Sequence, residues 1–105
     1  MKFRKEYDSL GKINVPANKY WGASTQRSNK HFDIGDFLVR PIVIKCIAMI
    51  KKAAAIVHER NKDIDKKISR SIIKAANEVI SGKLNEHFPL KVWQTGSGTQ
   101  TNMNV

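Results

Sequence analysis

The sequence predicts a mainly α-helical chain with a short N-terminal β-hairpin or extended arm, on the strength of two patterns. Apolar residues at helical spacing fill most of residues 41–81. Short segments that flank a turn occur only before Pro16. The length of 105 residues, with 41% hydrophobic and 27% charged residues, is that of about one small globular domain. We therefore expect residues 1–105 to form one domain.

The hairpin is predicted from residues 3–7 and 12–15, which flank the run Asp-Ser-Leu-Gly at 8–11. Glycine tolerates positive φ, and Asp or Ser can bond the local backbone, so this run suits a turn. Pro16 ends the second segment because it has no N–H to donate. Residues 22–29 predict a short helix, and residues 33–36 predict a loop.

Pro41 suits the first turn of a long helix, where its missing N–H costs nothing. The second helix is predicted over 66–81, with Asp65 as N-cap and Gly82 at the position after the C-cap. Because the linker 61–64 is short, the two helices should pack as an antiparallel pair. The apolar stripes predicted are Ile42, Val43, Ile47, Ile50, Ala54 and Val57 in the first, and Ile68, Ile72, Ile73, Ala76, Val79 and Ile80 in the second.

The first of these helices is apolar on most of its circumference, which is typical of a helix surrounded by other helices. One partner helix and a hairpin cannot cover so much apolar surface. The chain also stops at Val105, directly after a polar loop. These two features predict that the chain is a piece of a longer protein.

The single cysteine, Cys46, stands among apolar residues and predicts a small buried hydrophobe. One thiol excludes an intramolecular disulfide and a cysteine-held zinc or iron–sulfur site. The greasiest stretch, 41–57, is too short and too interrupted by lysines to span a bilayer, and no signal sequence precedes it. We expect a cytoplasmic protein with no membrane partner, no metal and no cofactor.

The net charge of +10 comes from lysines scattered along the chain without a dense block. Such a surface attracts polyanions, so a basic helical module that binds nucleic acid is an alternative of another class. No nucleic-acid-binding motif and no aromatic interleaving supports it. Solvated lysines and compositional drift explain the charge more simply, and we expect no nucleic-acid partner.

Residues 95–104, TGSGTQTNMN, concentrate neutral hydrogen-bond donors around Gly96 and Gly98. Such donors are what a small carboxylate ligand requires, and a helix starting near Thr101 would add N–H groups. The alternative is an ordinary polar surface loop. The segment lacks the Gly-Lys-Ser/Thr ending of a phosphate-binding loop. No acid–base pair can be assembled by spacing: His31, His58 and His87 are interpreted as surface or structural residues, and no catalytic residue is assigned.

The chain resembles class II fumarate hydratases, of the fumarase/aspartase superfamily, along almost its whole length. The resemblance rests on EYDSLGKINVPANKYWGASTQRS (6–28), on KAAA (52–55) and ANEVISGKL (76–84), and on HFPLKVWQTGSGTQTNMN (87–104). Aspartases typically carry alanine and serine where this chain has Ser97 and Gln100. These two residues therefore favour a fumarase over an aspartase or another sister lyase, such as one acting on argininosuccinate.

The resemblance implies the N-terminal domain of the fumarase fold, with the central helical-bundle and C-terminal domains absent. It implies that Ser97, Gly98 and Thr99 bind a carboxylate of fumarate or L-malate, in the hydro-lyase reaction of the citric acid cycle. The supporting residues would be Thr95, Gly96, Gln100, Thr101, Asn102 and Asn104. The family's catalytic base lies on a mobile loop carrying GSSxMPxKxN, its histidine lies in the central domain, and three subunits of a homotetramer build each site. This chain contains neither region, so the 105 residues alone are predicted to be inactive.

Overall fold

A computed structural model describes all 105 residues and contains four α-helices, one 3-10 turn and two β-strands. The mainly helical fold with an N-terminal hairpin, predicted from the sequence, is confirmed. The chain divides into two compact units, Met1–Val39 with Glu86–Val105, and Arg40–Asn85. Each unit has its own buried residues and is described by itself.

The first unit begins with a β-hairpin of β1 (Phe3–Asp8) and β2 (Gly11–Pro16), paired antiparallel from Phe3 opposite Pro16 to Asp8 opposite Gly11. The turn is closed by the Asp8 carboxylate, which accepts the Leu10 N–H at 2.9 Å. Gly11 has φ +108, a conformation that L side chains rarely adopt, so the predicted Asp-Ser-x-Gly turn is confirmed.

Arg4 on β1 fastens the chain that leaves the hairpin. Its guanidinium donates to the carbonyls of Pro16, at 3.0 Å, and of Lys19 and Trp21. It also pairs with the Glu6 carboxylate at 2.7 Å. Three carbonyls of one connecting segment therefore depend on a single cation that is about one third exposed.

Helix α1 (Ala23–His31) follows this segment and packs against the hairpin. The unit ends with a 3-10 turn (Asn85–His87), an irregular stretch, and the short helix α4 (Thr99–Asn104), which packs on α1. Val15, Trp21, Phe88 and Leu90 form its apolar core. Residues 88–93 form no strand and make one antiparallel bridge, Lys91 opposite Leu38. A single bridged pair is too short to count as a β-ladder.

The second unit is a pair of helices, α2 (Pro41–Arg60) and α3 (Lys66–Ile80), in extensive contact along their lengths. Gly82 has φ +83 after the C-cap Ser81, as predicted. Asp65 occupies the N-cap of α3, as predicted, but its side chain does not cap the helix. Its carboxylate makes no capping hydrogen bond, although its carbonyl accepts the Ser69 N–H at 2.9 Å.

The apolar stripe predicted for α2 faces away from α3. The buried residues of α2 are Ile44, Ala48 and Ala55, whereas the exposed apolar residues include Ile42, Val43, Met49, Ile50, Ala54 and Val57. Cys46 is exposed as well, so its prediction as a buried hydrophobe is wrong. The buried residues lie on one side of α2, and the exposed apolar residues form an open apolar face on the opposite side.

Ser69 of α3 is fully buried, and its hydroxyl donates to the Ala55 carbonyl of α2 at 2.9 Å. We expect Ser69→Ala to lower the free energy of unfolding by about 1 kcal/mol, the usual net value of one such bond. The matched control is Ser71→Ala, which removes an exposed hydroxyl bonded to its own helix at Lys67 and should have an effect below about 0.5 kcal/mol. Urea unfolding of both variants measures the difference, and equal losses would contradict the role given to Ser69.

Candidate functional site

The segment 95–104 folds as an exposed turn that runs directly into α4. Residues 95–99 are all exposed, and Gly98 is the N-cap of α4 with φ +75 and ψ 1. A left-handed residue at this point turns the chain between Ser97 and Thr99. The helix begins at Thr99, two residues before the start considered at Thr101, and it is only six residues long.

The three hydroxyls of Thr95, Ser97 and Thr99 lie in one row. The Ser97 Oγ is 3.2 Å from the Thr95 Oγ1 and 3.2 Å from the Thr99 Oγ1. This spacing places three neutral hydroxyls on one exposed edge of the turn.

Gln100 and Gln94 hold this turn from two sides. The Gln100 Oε1 accepts both the N–H and the hydroxyl of Thr95, each at 2.8 Å, and its Nε2 donates to the Ser28 hydroxyl on α1. The Gln94 Oε1 accepts the N–H of Thr101 at 3.1 Å and its hydroxyl at 2.8 Å, and its Nε2 donates to the Lys91 carbonyl at 2.8 Å. The turn is therefore fixed by two amide side chains that each bridge two segments.

Gln94 was missed by the sequence reasoning, because the donor-rich segment was taken to begin at Thr95. Gln94 lies between Trp93 and Thr95, directly before the hydroxyl row. The only sequence signal for its supporting role is that it is a second amide side chain close to that row. Of the other predicted support residues, Asn104 donates to the His87 carbonyl at 3.0 Å. Gly96 has open space around it and makes no side-chain contact.

A cavity of about 380 Å³ lies beside the turn, within the first unit. Thr99 borders it, but Ser97 and Gly98 do not, so the structure brings only one of the three predicted binding residues to this cavity. Its lining residues come from the hairpin turn (Asp8, Ser9, Leu10), from α1 and its end (Ser24, Arg27, Ser28, His31, Phe32) and from the loop (Thr95, Thr99, Gln100).

The charges in this cavity are paired across its wall. The Arg27 guanidinium contacts both Asp8 carboxylate oxygens, at 2.8 and 3.0 Å, and donates to the Gly11 carbonyl at 2.8 Å. The hydrogen bond with Arg27 is the main cause that holds the pKa of the Asp8 carboxyl below its ordinary value. Because Arg27 is neutralised by Asp8, the remaining donors toward a ligand are chiefly neutral hydroxyls and amides.

The Asp8–Arg27 pair makes stability depend on pH in acid. A depressed pKa contributes stability above the unfolded value, about 4 for Asp, and the contribution is lost as pH falls through the lower folded value. We expect the urea midpoint of the wild type to exceed that of Asp8→Asn at about pH 6, and the gap to close toward about pH 2. Asp36→Asn, in an exposed loop, is the control, and a gap that stays constant with pH would contradict the assignment.

The three histidines lie apart from one another. His58 contacts the Asp63 carboxylate at 3.1 Å, and the His87 Nδ1 accepts the Tyr20 N–H at 3.0 Å while its ring stacks on Tyr20. His31 is exposed at the cavity wall. The structure brings together no group of three or more His, Cys, Asp or Glu side chains that could hold a metal ion. None of its helices combines the length and apolar character needed to cross a bilayer.

Comparison with known proteins defines the class of the chain. A family model described as "Lyase" matches residues 11–105. The chain belongs to this lyase family. Class II fumarate hydratase of Thermus aquaticus is 54% identical over an alignment of 107 residues that covers 100% of this chain and 23% of that protein. Mitochondrial fumarate hydratase of Rattus norvegicus is 57% identical over 105 residues, covering 98% of this chain and 20% of the relative.

A crystal structure of class II fumarase from Schistosoma mansoni superposes with a TM-score of 0.96 at 45% identity, covering 98% of this chain and 22% of that one. The resemblance to class II fumarate hydratases is thereby confirmed, and so is the fumarase type of fold. The chain spans only about a fifth of the length of these relatives, 20% to 23%.

Proposed function

We propose that this chain is the N-terminal part of a fumarate hydratase that interconverts fumarate and L-malate, and that residues 95–104 bind a substrate carboxylate. The observation that carries the proposal is the exposed row of the Thr95, Ser97 and Thr99 hydroxyls, fixed by Gln94 and Gln100. The names of the relatives, which are 50% to 57% identical, support the choice of reaction.

The chemistry of the reaction explains what such a row contributes. The proton removed from malate lies next to a carboxylate, so its removal leaves a dianionic aci-carboxylate. Hydroxyls aimed at that carboxylate stabilise the charge as it develops, as the donors of an oxyanion hole do. We assign carboxylate binding to Ser97, Gly98 and Thr99. We assign a proton-transfer role to no residue of the chain. The base and the acid belong to other regions of the longer protein.

Three finer assignments follow from the same resemblance. The full-length protein is proposed to be a cytoplasmic homotetramer of the citric acid cycle, with no cofactor. Each active site is proposed to combine residues of three subunits. The 105 residues alone are proposed to be inactive, since the base and the histidine that the resemblance implies lie in regions that these residues do not include.

The test has two arms. In the first, the full-length protein is purified and the loss of fumarate is followed spectroscopically, with L-aspartate and argininosuccinate as alternative substrates. Turnover of fumarate with water supports the proposal, whereas release of ammonia from aspartate with no hydration would overturn it in favour of a sister lyase. In the second arm, the 105-residue chain is assayed for hydration, and measurable turnover would disprove its inactivity.

A further inference from the structure

We propose that Gln100 is a positioning residue that sets the direction in which the hydroxyl row donates, so that Ser97 and Thr99 alone are left to donate to a bound carboxylate. The inference rests on the proposed function, because it concerns the same carboxylate-binding turn. It assigns to Gln100 an action through Thr95 rather than through contact with the substrate.

The orientation of the Gln100 amide follows from its neighbours. The Thr95 backbone N–H can only donate, and it lies 2.8 Å from one end of this amide. That end must therefore be the carbonyl oxygen, and the NH₂ group must face the Ser28 hydroxyl on α1. Ser28 is buried, so the amide is held between a fixed helix and the turn.

A fixed carbonyl oxygen then fixes the first hydroxyl of the row. The Gln100 Oε1 only accepts, so the Thr95 hydroxyl, 2.8 Å away, must spend its single proton on it. Thr95 can consequently only accept from the Ser97 hydroxyl, 3.2 Å further along. Its proton is not available to a ligand.

The Ser97 hydroxyl, by contrast, donates to the Thr99 Oγ1 over 3.2 Å, a contact that a ligand can replace. Both residues are exposed, and the 3.2 Å contacts along the row are longer than the usual O–H···O distance of about 2.5–3.0 Å. A carboxylate forms stronger, charge-assisted hydrogen bonds and would accept one from each of the two hydroxyls. If Gln100 did not hold Thr95, the three hydroxyls could donate along the row in either direction. Ligand binding would then include the entropy cost of ordering them.

A glutamate at position 100 tests this without changing the shape of the side chain. Its carboxylate can still accept from Thr95, and the Ser28 hydroxyl can rotate to donate to it, but a negative charge now lies beside the carboxylate site. In the full-length protein we expect Gln100→Glu to raise the KM for fumarate about tenfold near neutral pH, with a smaller change in kcat. The ratio of variant to wild-type KM should fall as pH drops toward about 5, where glutamate begins to be protonated and neutral.

Gln26→Glu is the charge-matched control, because Gln26 lies on the same helix as Ser28, bonds Trp21, and does not line the cavity. Its KM should stay within about twofold of the wild type at each pH. A wild-type KM for Gln100→Glu near neutral pH, or a raised KM ratio that ignores pH, would overturn the inference.

A second readout separates this inference from the proposed function. Hydrogen exchange of the Thr95 amide, which donates to Gln100, should accelerate in Gln100→Ala and stay near the wild-type rate in Gln100→Glu. If the wild type failed to hydrate fumarate, the proposed function would fall, yet this exchange would still decide whether Gln100 holds Thr95. An unchanged exchange rate of the Thr95 amide in Gln100→Ala would show that Gln100 does not hold Thr95.

Discussion

Replacing Arg4 by alanine is expected to lower the free energy of unfolding by about 3 kcal/mol. The variant loses the ion pair with Glu6 and three hydrogen bonds to the carbonyls of Pro16, Lys19 and Trp21. Bonds to a charged donor are worth about 1.5–3 kcal/mol each when buried, and the partial exposure of Arg4 reduces their sum.

Urea unfolding followed by tryptophan fluorescence suits this measurement, since Trp21 is buried and its carbonyl is one of the acceptors. Arg70→Ala is the control: Arg70 is exposed on α3, and its loss should cost less than about 0.5 kcal/mol. Arg4→Lys should fall between the two, because an ammonium group cannot reach all the acceptors that the planar guanidinium fork spans. Equal losses in Arg4→Ala and Arg70→Ala would show that the connecting segment does not depend on Arg4.

Thr99→Val should reduce kcat/KM of the full-length protein for fumarate by about a hundredfold, the effect of removing one oxyanion-hole donor. Thr99 is the one member of the Ser97–Gly98–Thr99 set that borders the cavity, and its hydroxyl is exposed. Valine keeps the branching and volume of threonine, so the first residue of α4 retains its shape and loses only the hydroxyl.

Thr99→Ser is the matched control and should retain most of the activity, because the hydroxyl is kept and a methyl group is lost. Initial rates over a range of fumarate concentrations give kcat and KM separately. If the donor acts on the developing charge, kcat falls; if it only binds the substrate, KM rises and kcat is kept. A Thr99→Val protein with wild-type kcat and KM would remove Thr99 from the site.

The features that could be predicted from the sequence are those set by local chemistry. The Asp-Ser-x-Gly turn needs only neighbouring residues, and Gly11 and Gly82 do adopt the positive φ that their positions indicated. Helix α3 has a clear apolar and a clear polar side, so Ile73, Ala76 and Ile80 were assigned correctly to its less exposed face. Ile68 and Ile72, which were predicted in the same stripe, are exposed. Each of these predictions depends on a few adjacent residues and not on the rest of the chain.

Which face of α2 is covered could not be predicted, because its apolar residues surround the helix and give no preferred direction. The covered side includes Ala48 and Ala55, small residues that carry little hydrophobic signal. Cys46 was predicted to be buried because its neighbours are apolar, yet it is exposed. Ser69 is buried and its hydroxyl donates to α2, although a serine carries no hydrophobic signal in the sequence.

The donors of the candidate site were predictable as residue types but not as an arrangement. Thr95, Ser97 and Thr99 lie in one short segment, so their grouping follows from the sequence alone. The other residues that line the same cavity include Ser28 and Arg27 on α1 and Asp8 in the hairpin, which lie more than sixty positions away along the chain. Such distant contacts depend on how the whole unit packs, which no local pattern records.

The left-handed backbone at Gly98 makes the turn sensitive to the chirality of one residue. A Cβ at this position would meet no atom within 4 Å, so space does not restrict the side chain; only the φ of +75 does. A D-alanine introduced there by chemical synthesis would adopt this φ without strain, whereas L-alanine would not. The separation of the Ser97 and Thr99 hydroxyls thus depends on the left-handed backbone conformation of one residue. Among the twenty encoded amino acids, glycine adopts this conformation most easily because it has no side chain.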